Sequence, residues 1–297
     1  MTLRTRMTGA LATGLLLAGL AIGPSAASAA KSGHRHAAGS VVTRSTTIQL
    51  PPHQLLTATA TCPGGTRAVG GGFSGAPGGI EPTVVTASRR SGARSWIATG
   101  LRASPLTTAT GSLTAIVRCR SGAPKISEVA ASTSLPAATG PGDHPRATIT
   151  ATCPGKRRAI SGGFSSEADP KQALTVLPED SHRVAKGRSW SFTASHNNPA
   201  SRRLTAYAYC ARARVGSKSG SVSLTGDLTT KSADSQPCGG GRSPISGGFV
   251  TSPATLANGG DSVFVLASMP QGGGWRATGM HSGAKSTGNL QSFAYCG

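Results

Sequence analysis

Short runs rich in Thr, Val, Ile and Leu alternate along this chain with clusters of Gly, Ser and Pro. The segments 57–61, 83–88, 96–101 and 113–118 are such runs, and this pattern is typical of strands joined by turns. Beyond the N-terminal apolar segment, no stretch holds the sustained 3.6-residue apolar period that marks an amphipathic helix. The pattern therefore predicts an all-β protein.

One residue frame occurs three times along the chain. A Cys precedes the Phe of a Gly-Gly-Phe motif by eleven residues, a Trp follows, and a Leu, an apolar or aromatic residue and a second Cys close the frame. The aromatic markers are Phe73 and Trp96, Phe164 and Trp190, and Phe249 and Trp275. We expect three homologous antiparallel β repeats, spanning 41–120, 121–212 and 213–297 and arranged as a sandwich or a prism.

The six cysteines begin and end these frames. Six cysteines can pair in many ways, but repetition reduces the choice if each repeat folds as one unit. The predicted disulfides are then Cys62–Cys119, Cys153–Cys210 and Cys238–Cys296. The alternative is metal binding, which the spacing disfavours because no Cys-x-x-Cys and no His at ligand spacing occurs. We therefore predict stapled repeats without a metal or a cofactor.

Most of the aromatic residues stand at the repeated positions, which favours a role in the core over a carbohydrate-stacking platform. A Gly-Gly pair lies inside a strand-like run of each repeat, at 71–72, 162–163 and 247–248. Glycine inside a strand marks a bulge or a close backbone approach. A phosphate-cradling loop would need a following helix, and the pattern predicts none.

The N-terminus has the pattern of an export signal. Arg4 and Arg6 precede an apolar segment over 9–23, and small residues follow it. That segment is shorter than the roughly 20 residues of a membrane span. The sequence thus predicts a signal peptide over 1–30, a flexible arm over 31–40 and a secreted protein with no transmembrane segment, in a compartment where disulfides persist.

The Cys-Pro-Gly opening, the Gly-Gly-Phe motif, the Trp and the closing Cys together resemble repeats in exported proteins of high-GC Gram-positive bacteria. The resemblance covers nearly all of the chain after the export signal, and it implies secretion and fold rather than an activity. The Cys-Pro-Gly opening and the threefold repetition are also similar to the vitelline-membrane outer-layer type of β-prism. The third repeat departs from the frame, with Gly239 in place of Pro.

The chain carries 30 basic and 10 acidic residues, a net charge of +20. Such a field attracts anions, and we expect a cell-wall polyanion, an acidic polysaccharide or extracellular DNA as partner, solubility alone being the alternative. The candidate anion-binding residues are Arg89, Arg90, Arg94, Lys156, Arg157, Arg158, Arg202 and Arg203, with a further dense stretch over 183–188. Sequence-specific nucleic-acid recognition would need exposed aromatics, which the repeat frame assigns to the core.

One polar position recurs six residues after each Trp, as Arg102, His196 and His281. It predicts either three equivalent polar binding sites or a strand-end residue that caps the Trp edge, and the second is favoured. The carboxylates do not recur in frame and no known catalytic motif is present. Glu179 and Asp180 are adjacent, and we expect them on opposite faces of a strand. The sequence therefore predicts a non-catalytic binding protein, with an exported hydrolase or an enzyme inhibitor as the alternative.

Overall fold

A computed structural model describes residues 39–76, 82–102, 110–140, 143–168, 176–226, 228–252, 262–282 and 287–297. The predicted export signal and nearly all of the predicted arm lie outside these residues. The part of the chain that is described forms strands and one short 3₁₀ turn, Ala185–Gly187, so the all-β prediction is confirmed.

Within the described residues, each repeat contributes six strands. The strands of repeat one are β1 Val41–Leu50, β2 Leu56–Thr61, β3 Thr66–Ala76, β4 Thr83–Ser91, β5 Ser95–Arg102 and β6 Gly111–Ser121. Those of repeat two are β7 Ser127–Leu135, β8 Arg146–Thr152, β9 Arg158–Ser166, β10 Leu177–Val184, β11 Ser189–Ser195 and β12 Arg202–Ala211. Those of repeat three are β13 Gly216–Leu224, β14 Lys231–Asp234, β15 Pro244–Ser252, β16 Ser262–Gln271, β17 Gly274–Ser282 and β18 Gly288–Cys296.

The strands form three antiparallel six-stranded sheets, and each sheet takes half of its strands from each of two repeats. The sheet orders are β1-β6-β3-β16-β17-β14, β2-β5-β4-β9-β12-β7 and β13-β18-β15-β10-β11-β8. In every repeat the first, sixth and third strands join one sheet, and the second, fifth and fourth join another. The repeats are therefore interleaved rather than separate.

The joins between repeats are short and equivalent. Phe73 on β3 lies opposite Ser268 on β16, Phe164 on β9 lies opposite Ser88 on β4, and Phe249 on β15 lies opposite Ser181 on β10. The sheets also meet along their edges, where β1 contacts β2, β7 contacts β8 and β13 contacts β14. Three sheets that meet in this way form a three-sided prism, which selects the prism over the sandwich.

Three phenylalanines, one from each sheet, meet at the centre of the prism. The ring centroids of Phe73, Phe164 and Phe249 are 6.0, 6.1 and 6.2 Å apart, and every pair is edge-to-face. This geometry is the favourable one for aromatic rings, because the positive edge of one ring meets the negative face of the next. The Phe of each repeat thus packs against both other repeats, and no repeat completes its core alone.

The Gly-Gly pairs are explained by close approach, as predicted. A Cβ on Gly162 would lie 2.0 Å from the ring of Trp190, and a Cβ on Gly163 would lie 2.4 Å from the carbonyl oxygen of Ser88 in repeat one. The Trp is fixed because its Nε1 donates a 2.9 Å hydrogen bond to the Ser181 hydroxyl. The first Gly therefore makes room for the Trp, and the second makes room for the strand of another repeat.

The three disulfides pair as predicted, within each repeat. The Cα–Cα distances are 5.5 Å for Cys62–Cys119 and 5.6 Å for the other two, Cys153–Cys210 and Cys238–Cys296. These distances suit a bridge. Each bridge links the segment that follows the second strand to the sixth strand, and these strands belong to different sheets. The disulfides therefore clamp neighbouring sheets at one end of the prism.

Candidate functional site

The end of the prism that carries the disulfides also carries the turns between paired strands. The backbone N–H of Cys62 donates to the carbonyl of Arg94 at 2.8 Å, and Cys153 donates to Arg188 at 2.9 Å. Each Cys is thereby held against the turn that precedes the Trp of its repeat. We call this region, comprising 62–67, 89–94, 118–128, 153–158, 183–188, 210–216, 238–244 and 270–274, the disulfide end.

The charged side chains of the disulfide end are almost all basic. They are Arg67, Arg89, Arg90, Arg94, Arg118, Arg120, Lys125, Lys156, Arg157, Arg158, Arg183, Lys186, Arg188, Arg212, Arg214 and Arg242. Glu128 is the carboxylate that the same ranges contain. Most of these side chains are exposed or half-buried. The disulfide end is consequently a strongly cationic surface.

Several guanidinium groups at this end are held by backbone carbonyls rather than by carboxylates. Arg94 donates through Nε to the carbonyl oxygen of Cys62 at 3.2 Å, and Arg90 donates to that of Ala93 at 2.8 Å. Arg188 donates to the carbonyl of Gly155 at 2.9 Å. A carbonyl orients a guanidinium but does not neutralise it. These contacts therefore order the side chains and leave their positive charge available.

Arg90 and Arg183 occupy equivalent places behind this surface. Arg90 is 9% exposed, and its backbone N–H donates to the Tyr209 hydroxyl at 2.7 Å. The N–H of Arg183 donates to the Tyr295 hydroxyl at 2.8 Å, and its guanidinium lies 4.6 Å from the centroid of that ring. Burial lowers the pKa of both arginines and raises the pKa of both tyrosines. The tyrosines therefore stay neutral and do not cancel the cationic charge.

Repeat one has Arg118 where the other repeats have these tyrosines. The strand opposite carries Pro270, which has no N–H to donate to a hydroxyl. Arg118 instead donates through Nε to the carbonyl oxygen of Pro244 at 2.9 Å. Burial lowers the pKa of Arg118 to about 10, which still leaves it cationic at neutral pH. The substitution thus adds a further positive charge to the disulfide end.

The structure separates the candidate anion-binding residues into two groups. Those at 89–94 and 156–158 lie together at the disulfide end. Arg202 and Arg203 begin β12 at the opposite end, where they line an open groove of about 400 Å³. Glu167 shares that groove, and its Oε1 lies 3.8 Å from Nε of Arg203. This pair is partly neutralised, so it does not extend the cationic surface.

Sequence reasoning missed seven members of the disulfide end: Arg67, Arg118, Arg120, Lys125, Arg212, Arg214 and Arg242. None of them belongs to a dense basic run in the sequence. The repeat frame does mark Arg67. It lies five residues after Cys62, and Arg158 lies five residues after Cys153. An in-frame comparison of basic positions finds this match.

The recurring polar position after each Trp is buried at the other end of the prism. Arg102, His196 and His281 are 0%, 2% and 0% exposed. A ring nitrogen of His196 lies 2.6 Å from the carbonyl oxygen of Pro136. Burial is the main cause of the lowered pKa of His196. The Trp Nε1 groups bond to serines instead, as Trp190 does to Ser181, so the structure shows no cap on that indole N–H from this position.

Glu179 and Asp180 differ from the expectation of opposite faces. A β-bulge between Pro178 and Asp180 interrupts the strand alternation at Glu179. As a result, Glu179 pairs with Nε of Arg146, and Asp180 Oδ2 lies 3.9 Å from Nη2 of the same guanidinium. Burial raises the pKa of Asp180. One cation thus serves both carboxylates.

His182, on the same strand, has a different partner. Its ring stacks on Phe293 with centroids 5.6 Å apart, and burial lowers its pKa. Asp169, another acid of repeat two, lies outside the described residues. The described part of the chain holds no group of three or more His, Cys, Asp or Glu side chains that could bind a metal ion. It also contains no helix long and apolar enough to cross a membrane.

No model of a known protein family fits this sequence, and no curated protein is significantly similar to it.

Proposed function

We propose that this chain is a secreted, non-catalytic protein that binds an anionic extracellular polymer or cell surface through its disulfide end. The observation that carries the proposal is the concentration of arginine and lysine at one end of the prism. The carboxylate within the same ranges is that of Glu128. A surface of one sign raises the local concentration of oppositely charged ligands. Solubility alone would be served equally well by charges spread over all three sheets.

The environment of the arginines supports binding to an anion. Their guanidinium groups are oriented by backbone carbonyls, so less side-chain freedom is lost when a ligand binds. A guanidinium also presents paired N–H donors that fit phosphate and carboxylate oxygens. All twelve aromatic side chains are described, and each is buried or half-buried. The disulfide end therefore offers charge recognition without a surface on which bases could stack.

Retention on purified cell wall and on DNA-cellulose at increasing salt tests this proposal. We expect retention at low salt and elution as salt rises, because bound counterions are released when cations meet a polyanion. The variant Arg94→Gln/Arg188→Gln should elute at clearly lower salt than the wild type. The matched control Arg202→Gln/Arg203→Gln, which removes the same charge from the opposite end, should elute close to the wild type. No retention at about 10 mM salt, where screening is weak, would refute the proposal.

A further inference from the structure

We propose that the disulfide end contains two equivalent phosphate-binding sites, and that neighbouring phosphate groups of one polymer occupy both. Site one consists of Arg67, Arg90 and Arg94 of repeat one. Site two consists of Arg158, Arg183 and Arg188 of repeat two. This inference rests on the proposed function and specifies where and how the polymer binds.

The first argument is that the arginines of the two sites occupy the same places in the fold. Arg90 lies opposite Trp96 in the β4–β5 pair, and Arg183 lies opposite Trp190 in the β10–β11 pair. Arg67 and Arg158 each precede the alanine that faces the second Cys of the repeat. These correspondences come from strand pairing and not from a count along the chain.

The third member of each site is also equivalent. Arg94 and Arg188 each precede the Trp by two residues, and both donate to a carbonyl oxygen of the Cys-Pro-Gly turn, that of Cys62 or Gly155. The carbonyls of the same two arginines accept the N–H of the first Cys of their repeat. Each site is therefore anchored to its own disulfide.

The second argument is that repeat three folds without any of these arginines. It has Ser243, Pro270 and Gly273 at the three places. It nevertheless forms the disulfide, and Trp275 Nε1 donates to Ser268 at 2.8 Å as in the other repeats. The arginines are thus not a requirement of the fold. We take their presence at matched places in two repeats of three as support for a binding role.

The third argument is that two members of each site lie close enough to repel each other. Burial is the main cause of the lowered pKa of Arg90 and of Arg183. The positive charge of Arg67 lowers the pKa of Arg90 further, and that of Arg158 lowers the pKa of Arg183 further. Tyr209 and Glu128 raise the pKa of Arg90. Nε of Arg90 is buried and has no hydrogen-bond partner in the protein. An anion bound beside these guanidinium groups would relieve the repulsion between them.

Phosphate suits these sites better than an isolated carboxylate. A phosphate group offers several acceptor oxygens, so more than one guanidinium can bind it, and arginine forks match it bidentately. Two linked sites gain affinity for a polymer, because binding at the first site raises the effective concentration of phosphate at the second. We therefore expect a short polyphosphate to fill the sites independently and a long one to bridge them.

Calorimetric titration with tripolyphosphate and with long-chain polyphosphate at low salt tests the two sites. We expect the wild type to bind two tripolyphosphate molecules. Arg67→Gln/Arg94→Gln and Arg158→Gln/Arg188→Gln should each bind one. Each variant should lose at least about tenfold in affinity for the long polymer, since linked sites typically gain 10²–10⁴-fold over single ones.

Two further variants separate a built site from a diffuse field. Arg212→Gln/Arg242→Gln removes two charges from the same end outside both sites, and it should still bind two tripolyphosphate molecules. Arg94→Lys/Arg188→Lys keeps the positive charge but loses the paired N–H donors of the guanidinium group. This variant should bind the long polymer more weakly than the wild type. Thermal unfolding of every variant checks the fold, which should be intact because repeat three folds without these arginines.

The outcomes distinguish this inference from the proposed function. If the control pair loses as much affinity as the site variants, or if the wild type lacks two-to-one stoichiometry, the two-site inference is wrong and a diffuse field binds the polymer. If the wild type binds neither polyphosphate nor cell wall nor DNA, the proposed function fails as well. Parallel titrations with DNA, poly(glycerol phosphate) and polygalacturonate identify the source of the anion, and a preference for the carboxylate polymer would contradict the phosphate assignment.

Discussion

Removing one disulfide should destabilise the whole prism rather than one repeat. In Cys153→Ser/Cys210→Ser, a bridge that closes a loop with a sequence separation of 57 is lost. The chain-entropy relation gives about 4 kcal/mol for a loop of this length. For a domain of this size, 1 kcal/mol corresponds to about 2 °C, so we expect the melting temperature to fall by about 8 °C.

The unfolding should remain a single transition because the strands of repeat two belong to two sheets. Its β9 pairs with β4 of repeat one, and its β10 pairs with β15 of repeat three. Phe164 also contacts both other central phenylalanines. Loosening repeat two therefore exposes core surface in every repeat.

Calorimetry combined with hydrogen exchange provides the assay. The calorimetric trace should show one peak at lower temperature, and amides in β3, β9 and β15 should lose protection together. Cys62→Ser/Cys119→Ser is the matched control and should give a shift of similar size, since its separation is also 57. Two resolved transitions, or wild-type protection in repeats one and three, would show that the repeats unfold as independent units.

Two further predictions follow from particular contacts. Gly162→Ala should destabilise the protein by about 3 kcal/mol or more through overpacking, because its Cβ would lie 2.0 Å from the Trp190 ring. The control Gly64→Ala should be close to neutral, since a Cβ there would have nothing within 4 Å. Urea unfolding compares the two variants, and equal losses of stability would contradict the packing argument. Burial raises the pKa of Asp180 in the folded state, so stability should fall as pH rises from about 4 through the folded pKa. Asp180→Asn should therefore have a higher urea midpoint than the wild type at pH 7 and lose that advantage near pH 3; a lower midpoint at pH 7 would show that pairing with Arg146 outweighs burial.

The sequence alone determined the strand content, the disulfide pairing and the aromatic core. These follow from local patterns, since alternation and turn residues define strands and the threefold frame pairs each Cys with its own partner. The aromatic positions were also readable, because Phe73 and Trp96 recur in every repeat at matched offsets. The Gly-Gly pair correctly indicated a close approach, although the group that approaches Gly163 belongs to repeat one.

Only the tertiary structure decided how the repeats combine and where the charges lie. The joins between repeats depend on contacts such as Ser88 opposite Phe164, which are distant in sequence and carry no local pattern. The bulge at Glu179 changes which face its neighbour occupies, and period-two reasoning cannot anticipate such an extra residue. Arg67 and Arg90 join one site because strand ends meet at the disulfide end. Sequence encodes the period of each strand, whereas the spatial order of strands, and hence the cationic surface, arises from packing among all three repeats.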